Sequence, residues 1–168
     1  PPAPDEAVAA ALRDRGVTVP TDWPDAYRTA HIEAGPLEEV PLHEHVLAVL
    51  RADADSPESI HPDTVREAVE AAFHTPIDTR AGAVEAVRGL AAHVPVGILS
   101  NSSVEGLVER TVDRSSLPAD TFDTILSSVA IGHRKPHERA FERVATELGV
   151  GTEALLHVGD DPRTDGAA

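Results

Sequence analysis

The chain contains no cysteine. That removes disulfides, thiolate metal sites and cysteine nucleophiles together. Redox chemistry therefore says nothing about compartment. No apolar run comes near the ~18 residues that a membrane span needs. No basic stretch followed by an apolar run marks a signal peptide, so a cytoplasmic protein is the expectation. Lysine is nearly missing as well, because Lys135 is the only one among 14 basic residues. Positive charge is scarce overall. Twenty-nine acidic residues leave a formal net charge of −15, where a small domain is comfortable at a magnitude of about 2–8. Such a chain repels phosphate backbones and anionic membranes, so neither nucleic acid nor a membrane surface is an expected partner.

What is present suits a folded domain. The 168 residues are 41% apolar, which separates the chain from a disordered tail. A chain of this size buries roughly 68–70% of its unfolded surface. Proteins of hyperthermophiles gain Lys and Glu, which does not match a single Lys. Acid excess with Arg in place of Lys suits a salt-rich cytoplasm, since at ~1 M salt the Debye length is ~3 Å and self-repulsion becomes tolerable. A halophilic source is expected. A GC-rich genome is the alternative, because it also favours Arg and Ala. The chain opens Pro1-Pro2-Ala3-Pro4 without an initiator Met, and closes on Asp165-Gly166-Ala167-Ala168 as a helical pattern begins. Both ends read as cut.

The first half reads as helices. Val8, Ala11 and Leu12 form one apolar stripe, with Gly16 as its stop. Val40, His43, Val46, Leu47 and Leu50 form a second. Val65, Ala68, Val69, Ala72 and Phe73 form a third, with Thr64 and Glu67 at capping-box spacing. Val84, Val87, Leu90 and Ala91 mark a fourth. Prolines at 20, 24, 36, 41, 57, 62 and 76 break the helices apart. The second half changes rhythm. Val94 to Leu99, Phe122 to Leu126 and Ala154 to Val158 read as strands. Between them, Val104, Leu107, Val108 and Val112 make one helical face. Ala140, Phe141, Val144, Ala145 and Leu148 make another, with Pro136 as a first-turn residue. Alternating strands and helices predict a parallel sheet with helices on its faces. Ligands in such sheets bind at the carboxyl ends of the strands.

Three strand ends carry the polar residues. Ser100, Asn101 and Ser102 follow the first strand. A hydroxyl, backbone N–H groups and a following helix N-terminus could cradle an anion there, or the stretch could be a capping turn. Lys135 follows the second strand in Gly132-His133-Arg134-Lys135-Pro136. A chain that otherwise uses Arg keeps an ammonium here, a compact point charge for which Arg is no equivalent. Gly159-Asp160-Asp161-Pro162-Arg163-Thr164-Asp165 follows the third strand. Three carboxylates in six residues are costly at −15 unless a cation offsets them. One or two carboxylates with water and phosphate oxygens are the usual Mg2+ set, and a solvated acidic turn is the other reading. Hydroxyl, ammonium and carboxylates at neighbouring strand ends suit phosphoryl transfer, in which charge stabilisation dominates.

These three stretches, in this order and spacing, resemble the motifs of the haloacid dehalogenase (HAD) superfamily of hydrolases. Ile98-Leu99-Ser100-Asn101 resembles its second motif, whose Ser or Thr holds the phosphate. Ile131 through Phe141 is close to the third, whose Lys holds nucleophile and phosphate together. His157-Val158-Gly159-Asp160 with Asp165 resembles the fourth, whose acids hold Mg2+. The resemblance implies a Rossmann-like three-layer α/β core with an inserted helical cap that sets substrate choice. Residues 1–78 correspond to the cap and 79–168 to the core. It implies Ser100, Asn101 (through its N–H) and Lys135 as phosphate-binding residues. Asp160 is the implied Mg2+ ligand, and Asp161 and Asp165 are candidates for direct or indirect support. The implied substrate is a small phosphorylated metabolite.

One motif has no good counterpart. The family's first motif is a strand ending in two Asp residues one apart, and its first Asp attacks phosphorus. Asp53-Ala54-Asp55 has that spacing, but it continues a helical stripe, and Pro57 stands in place of Thr. The expectation is that the attacking Asp precedes Pro1 in the whole protein, and that its absence leaves a gap between the strands of Ser100 and Asp160. Within the family, the acidic fourth motif favours a phosphatase over a metal-independent 2-haloacid dehalogenase. A phosphate-binding remnant without turnover, or a partner-binding module, is a non-enzymatic alternative. His43 with His45, and His133 with His137, have ligand-like spacing but are expected to be structural or on the surface. Trp23 and Tyr27 are expected to pack together.

Overall fold

The computed structural model describes residues 2–53 and 60–166. Two compact units divide the chain. The first comprises residues 1–34 and 40–76, and the second comprises residues 35–39 and 77–168.

The first unit is helical. It contains α1 (Pro4–Arg13), α2 (Trp23–Arg28), α3 (Leu42–Ala52) and α4 (Pro62–Ala72). Pro4 opens α1, and Asp5 and Glu6 occupy its first turn, where both residue types suit the helix N-terminus. The helix stops before Gly16, whose φ of 75° lies in the left-handed region. The apolar stripes face one another, so Val8, Leu12, Val46, Leu50 and Val65 are all fully buried. Each such side chain stabilises the unit by about 1.5–3 kcal/mol. Trp23 packs against Tyr27, with ring centroids 5.4 Å apart, and its indole N–H donates to the Asp5 carbonyl at 2.8 Å. Burial raises the Tyr27 pKa, with a further push from the Asp5 carboxylate. His43 is buried on α3, and His45 Nε2 lies 2.8 Å from the Tyr27 carbonyl. Thr64 and Glu67 do not form the expected capping box. Pro62 starts α4 one residue before Asp63, so His61 is the cap, and its Nδ1 accepts from the Asp63 N–H.

The second unit carries the α/β part. It contains α5 (Ala83–Ala91), β1 (Gly97–Ser100), α6 (Leu107–Arg114), β2 (Thr124–Ser127), α7 (Ser128–Ile131) and α8 (Glu138–Leu148). β1 and β2 pair in parallel, with Gly97 opposite Thr124 and Ser100 opposite Ser127. Just before the paired residues, Asp123 N–H donates to the Val96 carbonyl at 2.8 Å, and Val96 N–H donates to Asp123 Oδ2 at 2.9 Å. α8 packs on both strands through its buried face of Ala140, Phe141, Val144 and Ala145. Val104, Val108 and Val112 are also buried, as their spacing predicts.

Three expectations for this unit need correction. Ala154 to Val158 is not a strand. Ala154 ends a short 3-10 turn, and residues 155–159 join no ladder. A β-rich run becomes a strand only when a neighbour supplies hydrogen bonds, and among the described residues β1 pairs with β2 alone. Leu156 and Val158 consequently stand 86% and 81% exposed. Pro136 is not in the first turn of α8. It follows Lys135 through a cis peptide bond, and the helix begins at Glu138 with His137 as its cap. Finally, α6 starts at Leu107 after Gly106, too far along the chain to bring its N-terminus directly behind Ser100. In the Asp53-Ala54-Asp55 stretch, Ala54 and Asp55 lie outside the described residues. Asp53 follows α3 in an extended conformation.

Candidate active site

Parallel pairing brings the carboxyl ends of β1 and β2 side by side, so Ser100 and Ser127 are neighbours. The loops that leave these two ends carry Asn101 and Lys135. Asn101 joins them directly. Its Oδ1 accepts from the Lys135 N–H at 2.7 Å, and its Nδ2 donates to the Lys135 carbonyl at 3.1 Å. Asn101, expected to offer its N–H to a phosphate, thus holds the lysine's backbone from both sides with its side chain. Ser102 N–H donates to Ser128 Oγ at 2.8 Å, which leaves that amide unavailable to a ligand.

Lys135 is buried. Its ammonium donates to Asp165 Oδ1 at 2.6 Å, and the two side chains are 10% and 9% exposed. The same oxygen lies 2.8 Å from His157 Nε2. Asp165 Oδ2 accepts from the Asp161 N–H at 3.1 Å. These bonds, the Lys135 one foremost and then that of His157, hold the Asp165 carboxyl well below the usual carboxylate range.

The other two acids behave differently. Asp161 receives a forked contact from Arg163, with Nε at 3.1 Å from one oxygen and Nη2 at 3.0 Å from the other. Its pKa is lowered by the Arg163 side chain and then by the Arg163 backbone N–H. Asp160 is exposed, and among the described residues it forms no ion pair. Residues 157–162 and 165–166 line an open cleft of about 470 Å³. Among the described residues, no group of three or more His, Asp or Glu side chains converges as a metal centre. The rings of His133 and His137 pack at a tilt of 57° with centroids 4.3 Å apart, and His137 Nδ1 caps α8.

The structure therefore draws Ser100, Asn101, Lys135 and Asp165 into one region, with Asp161 committed to Arg163. Sequence reasoning missed two participants. His157 was read as part of a strand, yet it reaches Asp165 and packs edge-on against Phe141 at 5.4 Å. Glu39 was passed over in a proline-bounded stretch between helices. Its carboxylate accepts from Ser128 Oγ at 2.5 Å and lies 3.4 Å from Arg134 Nη2. No periodicity or motif signals a contact between residues 89 positions apart.

A family model for haloacid dehalogenase-like hydrolases matches residues 5–168. Among curated proteins, phosphatase MT3486 of Mycobacterium tuberculosis (strain CDC 1551 / Oshkosh) is 39% identical over 66 residues. That match covers 39% of this chain and 30% of the relative, so the shared stretch is under a third of that protein's length.

Proposed function

This chain belongs to the haloacid dehalogenase-like hydrolases, and from that premise we propose that it acts on small phosphate esters as a Mg2+-dependent phosphatase. One observation carries the reading. The Lys135 backbone is held by Asn101, the residue after Ser100, and its ammonium is held by the carboxylate of Asp165. A fixed cation on a loop at the strand ends suits a transferring phosphoryl group, whose charge it can offset. The phosphatase relative, similar over part of the chain, adds support.

In this reading Ser100 and the Asn101 N–H bind phosphate oxygens, and Lys135 neutralises the charge that builds on them. Asn101 keeps the Lys135 backbone in register. Asp165 aims the ammonium through a charge-assisted hydrogen bond. The attack would fall to an aspartate of the whole protein for which residues 1–168 offer no good counterpart. Its carboxylate would form an aspartyl-phosphate as the ester P–O bond breaks, and water would then cleave the acyl phosphate. Residues 1–78 are proposed as the cap and 79–168 as the core, in a cytoplasmic protein.

The donors suit Mg2+. Asp160 presents an exposed carboxylate at the cleft, and one or two carboxylates with phosphate oxygens and water are a usual set for this ion. Asp165, engaged by Lys135, would give indirect support, and Asp161 would have to exchange Arg163 for the metal. Bound Mg2+ would supply charge neutralisation at the phosphoryl oxygens. The charge of −15 supports a salt-rich working environment, and full stability in salt-free buffer would end that part of the reading.

The test is phosphate release from p-nitrophenyl phosphate by the whole protein, with Mg2+ and with a chelator. Metal-dependent release is expected, and no release from any of a panel of phosphate esters overturns the phosphatase reading. A second reading, metal-independent dehalogenation of a 2-haloacid, draws on the engagement of Asp161 and Asp165 by basic partners. Halide release from 2-chloropropionate, unaffected by the chelator, would favour it.

A further inference from the structure

Glu39 is a carboxylate that the proposed chemistry does not use. Its side chain is only 8% exposed, and a buried charge is costly unless its partners hold it. It sits in residues 35–39, which belong to the second unit although the chain on either side of them belongs to the first. That short stretch lies against the loop leading to Lys135. Glu39 N–H donates to the Gly132 carbonyl at 3.0 Å, and Arg134 N–H donates to the Leu37 carbonyl at 2.9 Å. Glu38 and His133 form the antiparallel bridge between these bonds.

The carboxylate then joins two parts of the segment that follows β2, Ser128 and Arg134. Its Oε2 takes the Ser128 hydroxyl at 2.5 Å, and Ser128 Oγ itself takes the Ser102 N–H at 2.8 Å. Ser102 lies two residues after Ser100. Glu39 Oε1 lies 3.4 Å from Arg134 Nη2, one residue before Lys135. The same Nη2 donates to the Glu38 carbonyl at 3.0 Å. Asn101 ties the two loops at Lys135, and the Ser128 hydroxyl and Val129 N–H tie them at Ser102; Glu39 links that second tie to Arg134, beside Lys135. Two separated ties fix the angle between loops as well as their distance, which one tie cannot do.

We propose that Glu39 is a positioning residue that sets the placement of the Lys135 ammonium relative to Ser100, acting through Ser128 and Arg134. The proposal rests on the reading of this region as a phosphate site. A residue that merely anchored its own stretch of chain would affect stability and leave the ammonium where it is.

The sole lysine makes the test direct. Protein labelled with 13C,15N-lysine reports Lys135 by a single side-chain resonance. Glu39→Leu is expected to move that resonance and to weaken inorganic phosphate binding about tenfold, the scale of one lost charge-assisted contact. Glu39→Gln keeps an oxygen for Ser128 and is expected to restore most of both. Ser128→Ala removes the hydroxyl that Glu39 holds together with its bonds to Ser102, so an unmoved Lys135 in that variant counts against the proposal even if Glu39→Leu fails to fold. An unmoved Lys135 resonance with unchanged phosphate affinity in a folded Glu39→Leu or Ser128→Ala protein overturns the proposal. Failure of the phosphate reading looks different. Wild-type protein would then bind no phosphate, while a shifted Lys135 resonance in the variants would still support positioning by Glu39.

Discussion

The Lys135 ammonium and the Asp165 carboxylate meet at 2.6 Å across 30 residues of chain. His157 approaches the same carboxylate oxygen at 2.8 Å. A single carboxyl group thus joins the loop after β2 to the acidic stretch 160–165.

Replacing that cation should be visible in the titration of its partner. In Lys135→Met, the Asp165 carboxyl is expected to titrate higher, back toward the ordinary value of 3.8, with His157 keeping part of the depression. The sign for stability follows. The folded-state pKa is lowered, so the stabilisation is fully present above about 4 and is lost as pH falls through the depressed value. Carboxyl 13C titration checks the first point. Acid unfolding of the two proteins checks the second, and identical acid profiles would contradict it.

Lys135→Arg is expected to keep the fold and to lose most phosphate affinity, because a planar guanidinium cannot occupy the place of a point-like ammonium. Inorganic phosphate titration by calorimetry reads the loss. Retained affinity would remove Lys135 from the phosphate site.

Asn101→Ala removes both bonds to the Lys135 backbone. At about 0.5–1.5 kcal/mol for each bond, the protein should lose about 1–3 kcal/mol in urea denaturation. Asn101→Asp should recover only part of the loss, since a carboxylate still accepts from the Lys135 N–H but cannot donate to the Lys135 carbonyl.

A Cβ on Gly97 would lie 2.7 Å from Thr124 Cγ2, its partner across the ladder. Gly97→Ala is therefore expected to cost about 1–3 kcal/mol, as overpacking does. Adding Thr124→Ser removes the obstructing methyl and should recover much of the loss. A thermal melt of the single and double variants decides whether this contact governs the close approach of the two strands.

Trp23 is 3% exposed and donates to the Asp5 carbonyl. Trp23→Phe should lose about 1–3 kcal/mol from the missing bond and the smaller ring. Circular dichroism in urea measures it, because the variant has no tryptophan fluorescence left to follow.

Much of this was legible in residue order. The stripe of Val46, Leu47 and Leu50, and that of Val65, Ala68 and Val69, placed α3 and α4, since a 3.6-residue period can bury one face only as a helix. The parallel pair was legible because two β-rich runs flank a helical pattern. The importance of Lys135 followed from its being the single ammonium in an arginine-using chain. What tertiary structure decided is of another kind. Whether residues 155–158 become a strand depends on a neighbour that supplies hydrogen bonds, not on their own β-propensity. Asp160, Asp161 and Asp165 are chemically alike in the sequence. Only the packing distinguishes the one held by Lys135 and His157, the one taken by Arg163 and the one left exposed. Glu39 carried no local signal at all. Its role arises because backbone pairing folds residues 35–39 against 132–134. Local periodicity encodes which face of an element is buried, whereas the partners of a buried charge are set by contacts between distant parts of the chain.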